Sequence, residues 1–177
     1  VDGSYQQAAH AGFAVTAVAR HTDSTYTFLG ALAGRLDRDA DLCVANGPTA
    51  SNVPELFGII WALMLASIMP CECDTVLRYD STTAASLAQL GPAHNSNRLL
   101  GAIANGLHHY VRVRKGLHYE HIKSHCGHPW NELSDYLARM AATDHPLTSQ
   151  LSITEVLCLR DADRRITSGP VPWLFLA

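Results

Sequence analysis

Hydrophobic and polar side chains alternate along the first part of the chain as they do in paired β-strands. Residues 12–19 combine β-branched and small side chains with a period close to two. The pattern resumes at residues 25–29, after a polar stretch at 21–24. This predicts a β-hairpin. Residues 35–51 are rich in Asp, Gly and Pro without periodicity, which predicts a loop or a weak extension of the second strand.

The rest of the chain alternates between helical and strand patterns. Asn52 is a plausible N-cap for an apolar helix that ends before Pro70. The remaining elements follow in order: a buried strand at 75–79, helices at 81–90 and 97–113, a strand at 117–122 and a helix at 131–142. The order β, β, β, α, β, α, α, β, α predicts an α/β domain over residues 1–144. Periodicity fades beyond it, so residues 145–177 are expected to be a tail or the start of a following region.

Composition narrows the class of protein. A chain of 177 residues with 47% apolar residues and a net charge of -3 fits one soluble domain without a global basic field. The densest basic run contains Arg112, Arg114 and Lys115, which could complement a helix C-terminus or contact phosphates. The longest apolar run, residues 56–69, is shorter than the roughly 20 residues that span a bilayer. We therefore expect no membrane partner, and the opening Val-Asp-Gly suggests no secretory leader.

Cysteine usage points to a reducing compartment. The count of five is odd, and Cys71 and Cys73 are too close for an easy disulfide. We expect an intracellular protein, cytoplasmic or nuclear. A zinc site that combines these residues with Cys126, His125 and His128 is disfavoured, because C-x-C is not the usual clasp.

Four acids stand where a folded α/β domain can bring side chains together. Asp2 and Asp80 flank predicted strands, and Glu55 and Asp135 lie near predicted helix starts. Taken singly, each acid has a simpler explanation. Asp2 could be a turn aspartate and Glu55 an acid that complements a helix dipole, while Asp80 could be a helix N-cap and Asp135 a surface residue. Taken together, four carboxylates need compensating charge, and a hard divalent cation such as Mg²⁺ or Mn²⁺ would supply it. Two such ions about 4 Å apart support in-line hydrolysis of a phosphodiester.

The contexts of these acids resemble the ribonuclease H family, type 1-like. The strongest likeness is residues 125–139, His-Cys-Gly-His-Pro-Trp-Asn-Glu-Leu-Ser-Asp-Tyr-Leu-Ala-Arg. Asp-Gly-Ser at 2–4, Asn-Val-Pro-Glu-Leu at 52–56 and Asp-Ser at 80–81 match the family's other acid motifs. The sequence of the predicted helix at 55–63 is similar to helices in the ribonuclease H domains of retrotransposons that lack long terminal repeats, where the domain is part of a reverse-transcriptase polyprotein.

The resemblance implies a mixed five-stranded sheet, three antiparallel strands followed by parallel ones, flanked by helices. It implies cleavage of the RNA strand of RNA/DNA hybrids with two Mg²⁺ ions, for which Mn²⁺ could substitute. Asp2, Glu55, Asp80 and Asp135 would hold the metals, and His125 would assist proton movement or product release. The substrate contacts that it implies are Gly3, Ser4, Asn52, Ser81 and Asn131. Asn52 could equally be only a helix cap, and for His128 we favour a structural role, bonded to its loop.

Two departures from the family shape further expectations. Only Val1 precedes Asp2, so we expect a short leading strand that holds the catalytic end loosely. The basic, aromatic protrusion of bacterial members is represented only around residues 108–115, so other domains of the same polyprotein are possible partners in hybrid binding. The alternatives are a non-catalytic ribonuclease H-like scaffold or nucleic-acid-binding domain, and a related integrase, transposase or resolvase, in which the 125–139 pattern is not normally seen.

Overall fold

The computed structural model describes residues 1–6, 10–37, 52–69, 74–91 and 98–143. The predicted tail at 145–177 lies outside these residues, as do Cys71, Cys73 and most of the loop predicted at 35–51. Within the described part, the elements follow the predicted order β, β, β, α, β, α, α, β, α.

The first three strands form an antiparallel sheet in the order β1-β2-β3. Their bounds are β1 Asp2–Gln6, β2 His10–Arg20 and β3 Tyr26–Asp37. The predicted hairpin is confirmed, and its turn is closed by Asp23, which accepts hydrogen bonds from both the amide (2.9 Å) and the hydroxyl (2.6 Å) of Thr25. The strand interpretation of residues 35–37 also holds, since β3 extends to Asp37.

Helix α1, Asn52–Ile68, supplies the centre of the core. Leu56, Ile59 and Leu63 are almost wholly buried, as their helical spacing predicts. Phe13 of β2 stacks on Trp61 with ring centroids 6.0 Å apart, which fixes α1 against one face of the sheet. Burial of side chains this size stabilises the fold by about 1.5–3 kcal/mol each.

Helix α4, Pro129–Ala142, covers the opposite face of the same sheet. Gly12 of β2 makes this close approach possible, because a Cβ there would collide with the backbone of Ala138 and Ala142. Thr16 and Ser134 hydroxyls bond across the interface at 2.8 Å. Small and polar residues therefore form the buried side of α4, and the apolar positions that the sequence pattern favoured, Leu133, Leu137 and Met140, are only half-buried.

The last two strands, β4 Thr75–Tyr79 and β5 Leu117–His121, pair in parallel. Parallel strands need a crossover, and α2 Thr82–Leu90 with α3 Arg98–Arg114 supplies it. Both helices pack against α1, with Ala84, Ala88 and Ala104 fully buried at the close contacts. None of the helices in the described ranges combines the length and apolarity that crossing a bilayer requires.

The expectation of one five-stranded sheet is wrong. The described strands form a three-stranded antiparallel sheet and a separate two-stranded parallel sheet. The Val1 nitrogen does donate to the Arg78 carbonyl at 2.9 Å, so the start of β1 touches β4. A ladder needs repeated bonds along both strands, and β1 makes its repeated pairing with β2 alone.

Candidate metal centre

Three acidic side chains from three elements converge beside this contact between the sheets. One carboxylate oxygen from each of Asp2, Glu55 and Asp80 lies within 4.8 Å of the others. Asp2 is the first residue of β1 and is 5% exposed. Glu55 lies in the first turn of α1, and Asp80 follows β4 directly. The predicted convergence of these three acids is therefore present in the fold.

A glycine lets the helix that carries Glu55 approach the strand that carries Asp2. Asp2 pairs with Ala14, so it shares the face of the sheet that α4 covers. Gly3 lies on the other face, where a Cβ would collide with the amide nitrogen of Glu55. The absence of a side chain at Gly3 thus lets the first turn of α1 approach β1 at the level of Asp2.

Asp80 is held by the loop that follows β5. Its Oδ2 accepts a hydrogen bond from the Ser124 hydroxyl at 2.9 Å, and its carbonyl lies 3.2 Å from Nε2 of His121. The alternative that Asp80 caps α2 is wrong, because Ser81 is the N-cap and accepts from the amide of Ala84 at 3.4 Å. The Oδ1 atom of Asp80 is buried without a hydrogen-bond partner in the described part of the chain.

Two of the three acids, Asp2 and Glu55, have a raised pKa. Burial raises the pKa of Glu55 to about 9, and the charges of Asp2 and Asp80 add to the effect. Burial also raises the pKa of Asp2 to about 7, with Asp80 and Asp135 contributing in the same direction. The amide of Gly3 donates to Asp2 at 2.7 Å and offsets part of this shift. At neutral pH the group without a cation cannot hold its full negative charge.

Asp135, the fourth predicted acid, belongs to an adjacent group. One ligand atom from each of His125, Glu132 and Asp135 lies within 4.8 Å of the others. Oδ2 of Asp135 is 2.8 Å from Nη2 of Arg139, in an ion pair without hydrogen-bond alignment, and 3.6 Å from Nδ1 of His125. Asp135 is close enough for its charge to raise the pKa of Asp2, so the two groups are neighbours.

The loop before α4 presents His125 to solvent. His125 has a positive φ of 52° and a side chain that is 69% exposed, and Gly127 has a φ of 80°. Positive φ is uncommon outside glycine, although histidine adopts it more readily than most residues. Glu132 accepts from the amide of Gly127 at 3.3 Å and so ties this turn to the first turn of α4.

The other predicted residues fall in several kinds of position. His128 does have a structural contact, but with Arg78 of β4, whose Nη1 lies 3.3 Å from its Nε2, and not with its own loop. Asn131, predicted to contact substrate, is 4% exposed with its Oδ1 unbonded in the described part. Gly3 allows the close approach of α1 to β1, and Ser81 is the N-cap of α2. Ser4, in the middle of β1, and Asn52, the first residue of α1, are half-buried.

Sequence reasoning did not assign three residues that the site contains. Ser124 donates a hydrogen bond to Asp80, and Arg139 forms an ion pair with Asp135. Glu132 accepts a hydrogen bond from Gly127 in the turn before α4 and belongs to the second group of possible metal ligands. Two of them carried a signal: Glu132 lies within the quoted 125–139 stretch, and Arg139 stands four residues after Asp135, where helical side chains meet. The contact of Ser124 with Asp80 could not be predicted from the sequence, because it depends on the pairing of β4 with β5.

The donors fit a hard divalent cation. Asp2, Glu55 and Asp80 offer only oxygen ligands, which Mg²⁺ and Mn²⁺ prefer. The unbonded Oδ1 of Asp80 and the raised pKa values of Asp2 and Glu55 are features that a bound cation would resolve. The second group adds an imidazole nitrogen to two carboxylates.

Comparison with known proteins assigns no family. A scan against models of known protein families gives no match, and a search of curated proteins gives none either. The ribonuclease H resemblance therefore stays a prediction from the residues quoted for it.

Proposed function

We propose that the protein is a metal-dependent endonuclease that hydrolyses the RNA strand of RNA/DNA hybrids, as part of a retroelement reverse-transcriptase polyprotein. The observation that carries the proposal is the convergence of Asp2, Glu55 and Asp80 from three elements. Asp135 and the exposed His125 lie beside them, as the resemblance to ribonuclease H requires.

Asp2, Glu55, Asp80 and Asp135 would hold the metal ions, here Mg²⁺. When bound, the metal supplies an activated water on one side of the phosphodiester and stabilises the leaving oxygen on the other. Ser124 donates a hydrogen bond to Oδ2 of Asp80. Oδ1, which has no hydrogen-bond partner in the described part of the chain, would then serve as the metal ligand. Gly3 keeps the first turn of α1 close enough for Glu55 to join the group.

His125 has a different role in this proposal. Its imidazole lies 3.6 Å from Asp135 and remains largely in solvent, so it can exchange protons with water and with the scissile region. An imidazole can both accept and donate a proton, which suits delivery of a proton to the departing 3′-oxygen. The products would carry a 3′-hydroxyl and a 5′-phosphate.

A substrate panel tests the proposal. Labelled RNA/DNA hybrid, RNA duplex and DNA duplex are incubated with the protein in Mg²⁺, in Mn²⁺ or in EDTA. We expect cleavage of the RNA strand in the hybrid alone, with either metal and not with EDTA. Hybrid binding without cleavage would instead support a non-catalytic scaffold, and cleavage of DNA duplex would support a nuclease of the integrase or resolvase kind.

A further inference from the structure

Three aromatic side chains form an exposed surface near the loop that carries His125. We call Tyr26, Phe28 and Trp130 the aromatic platform. The rings of Phe28 and Trp130 are nearly parallel, with an interplanar angle of 10° and centroids 5.9 Å apart. Although Trp130 covers part of it, Phe28 is 47% exposed, and Tyr26 is 49% exposed.

Strand register places an arginine beside these rings. Tyr26 is opposite Arg20, and Phe28 is opposite Val18, in the pairing of β2 with β3. Directly opposed residues share one face of a sheet, so Arg20, Tyr26 and Phe28 lie on the face that α4 covers farther along. Arg20 is exposed. The hairpin end thus combines flat apolar rings with a cation.

The aromatic platform and the acidic site each include a residue of α4. Trp130 is the second residue of α4, and the loop with His125 immediately precedes this helix. Asp135 stands five positions later, about 7.5 Å along a helix axis that rises about 1.5 Å per residue. One strand of a nucleic acid advances about 3.4 Å per nucleotide, so this axial separation of Trp130 and Asp135 corresponds to two or three nucleotides.

We infer that the aromatic platform stacks an unpaired nucleobase of the strand that leaves the hybrid, with Arg20 beside its phosphates. This inference rests on the proposed function and extends it to single-stranded flanks of the substrate. Aromatic side chains stack on any base, because every base has a π-face. Inside a duplex both faces of a base are already covered, so a base that stacks on Phe28 lies at the duplex end or, as we infer, beyond it.

The test compares hybrids with and without single-stranded tails. Binding is measured with the Asp80→Asn protein, which the proposed function expects not to cleave, on a blunt hybrid and on hybrids with each of the four possible tails. Each tail carries a 2-aminopurine two or three nucleotides beyond the duplex. We expect one tail to raise affinity about 5- to 100-fold, the range for stacking of one base, and its 2-aminopurine fluorescence to fall.

The variants separate stacking from general packing. Phe28→Leu keeps an apolar side chain and should bring the tailed hybrid to the affinity of the blunt one. Tyr26→Leu, at a more exposed position, should act in the same direction and guards against a folding defect in the first variant. Tyr136→Leu removes another exposed ring, on α4 outside the platform, and should change neither affinity.

Equal affinity for tailed and blunt hybrids would overturn the inference, as would equal effects of Phe28→Leu and Tyr136→Leu. Dimerisation that depends on Phe28, without a tail effect, would assign the surface to a second copy of the chain and overturn it too. Cleavage of the blunt hybrid by the parent protein is measured separately. If that hybrid is cleaved and no tail effect appears, only the platform fails. If it is not cleaved, the proposed function fails.

Discussion

Asp2 and Glu55 are ionisable residues whose surroundings differ strongly from water. Both are acids packed at the junction of β1 and α1, and both have a raised pKa because of burial and of the charges of neighbouring acids, Asp80 among them. The folded protein therefore holds protons that the unfolded chain releases. This linkage makes the acidic group measurable without any knowledge of a substrate.

We predict that folding stability without metal falls as pH rises. The unfolded acids titrate near 3.8 and 4.5 and the folded ones near about 7 and about 9, so the folded state binds more protons throughout this window. Stability from these groups is present below the unfolded values and is lost as pH rises through the folded ones. Stability in EDTA, measured by urea unfolding, should be a few kcal/mol lower at pH 9 than at pH 5, since one pKa unit is about 1.4 kcal/mol and the lowered pKa of the buried Val1 amino group opposes the two acids.

Glu55→Gln and Mg²⁺ are the controls for this prediction. The amide does not titrate, so Glu55→Gln should flatten the upper part of the decline. Added Mg²⁺ should restore stability at high pH, because a cation that binds only the folded state stabilises it. A stability that rises steadily from pH 5 to 9 in EDTA would show that the acids are not coupled in this way.

A second prediction at this scale concerns His125. The proposed function gives it a proton-transfer role beside Asp135, so His125→Ala should lower kcat by roughly 10- to 10⁴-fold. The Mg²⁺ concentration for half-maximal rate should barely change. Single-turnover kinetics across Mg²⁺ concentrations measure both quantities, and exposed His118 of β5 supplies the matched alanine control. A large rise in the Mg²⁺ requirement would make His125 a ligand instead.

At the scale of elements, close backbone contacts orient the site. Gly12 allows α4 to pack directly on β2, and the same helix carries Asp135 toward Asp2. Packing at this distance leaves no room for an added methyl group, whereas exposed helix surfaces have room. Glycines in the two environments should therefore respond in opposite ways to the same substitution.

We predict that Gly12→Ala destabilises the protein and that Gly106→Ala stabilises it. A Cβ at Gly12 would push α4 away from β2, which costs about 1–3 kcal/mol for an overpacked contact. Gly106 lies within α3 with no heavy atom within 4 Å of a Cβ, so alanine should gain up to about 1 kcal/mol of helix propensity. Thermal and urea melts compare the two. A neutral Gly12→Ala would mean that α4 does not rest on the backbone of β2.

The basic end of α3 gives another prediction for an element. Lys115 is buried and donates to the Met69 carbonyl at 2.8 Å, which favours the structural interpretation for that residue. Arg112 and Arg114 lie in the last exposed turn, with the Arg114 guanidinium 5.1 Å from the centroid of the Tyr110 ring. If both contact phosphates, replacing them with Gln should flatten the salt dependence of hybrid binding by about two units of slope.

Arg98→Gln, at the first residue of the same helix, is the matched control for that measurement. Binding is measured at several salt concentrations for all three proteins. An unchanged slope in the Arg112→Gln, Arg114→Gln protein would return both residues to the role of cations at a helix C-terminus.

For the whole molecule, the sequence predicted the order of elements because each carries its own local pattern. The partition into two sheets was not predictable, since it depends on which strands pair, and no local pattern reports strand pairing. The acids were found because their motifs are local. The role of Ser124 and the burial of Asn131 depend on tertiary contacts that no local pattern reports.

The central claim is that the acids which converge at the junction of the sheets are the ligands of a hydrolytic metal site. The most direct measurement is single-turnover cleavage of a labelled RNA/DNA hybrid in Mg²⁺ by the parent, by Asp80→Asn and by Asp74→Asn. Asp74 precedes the strand that Asp80 follows, so the same change is made at opposite ends of β4. We predict that Asp80→Asn abolishes cleavage while its melting profile stays cooperative, because an amide cannot supply the anionic ligand, and that Asp74→Asn cleaves at the parent rate. Cleavage by Asp80→Asn at the parent rate would contradict the account.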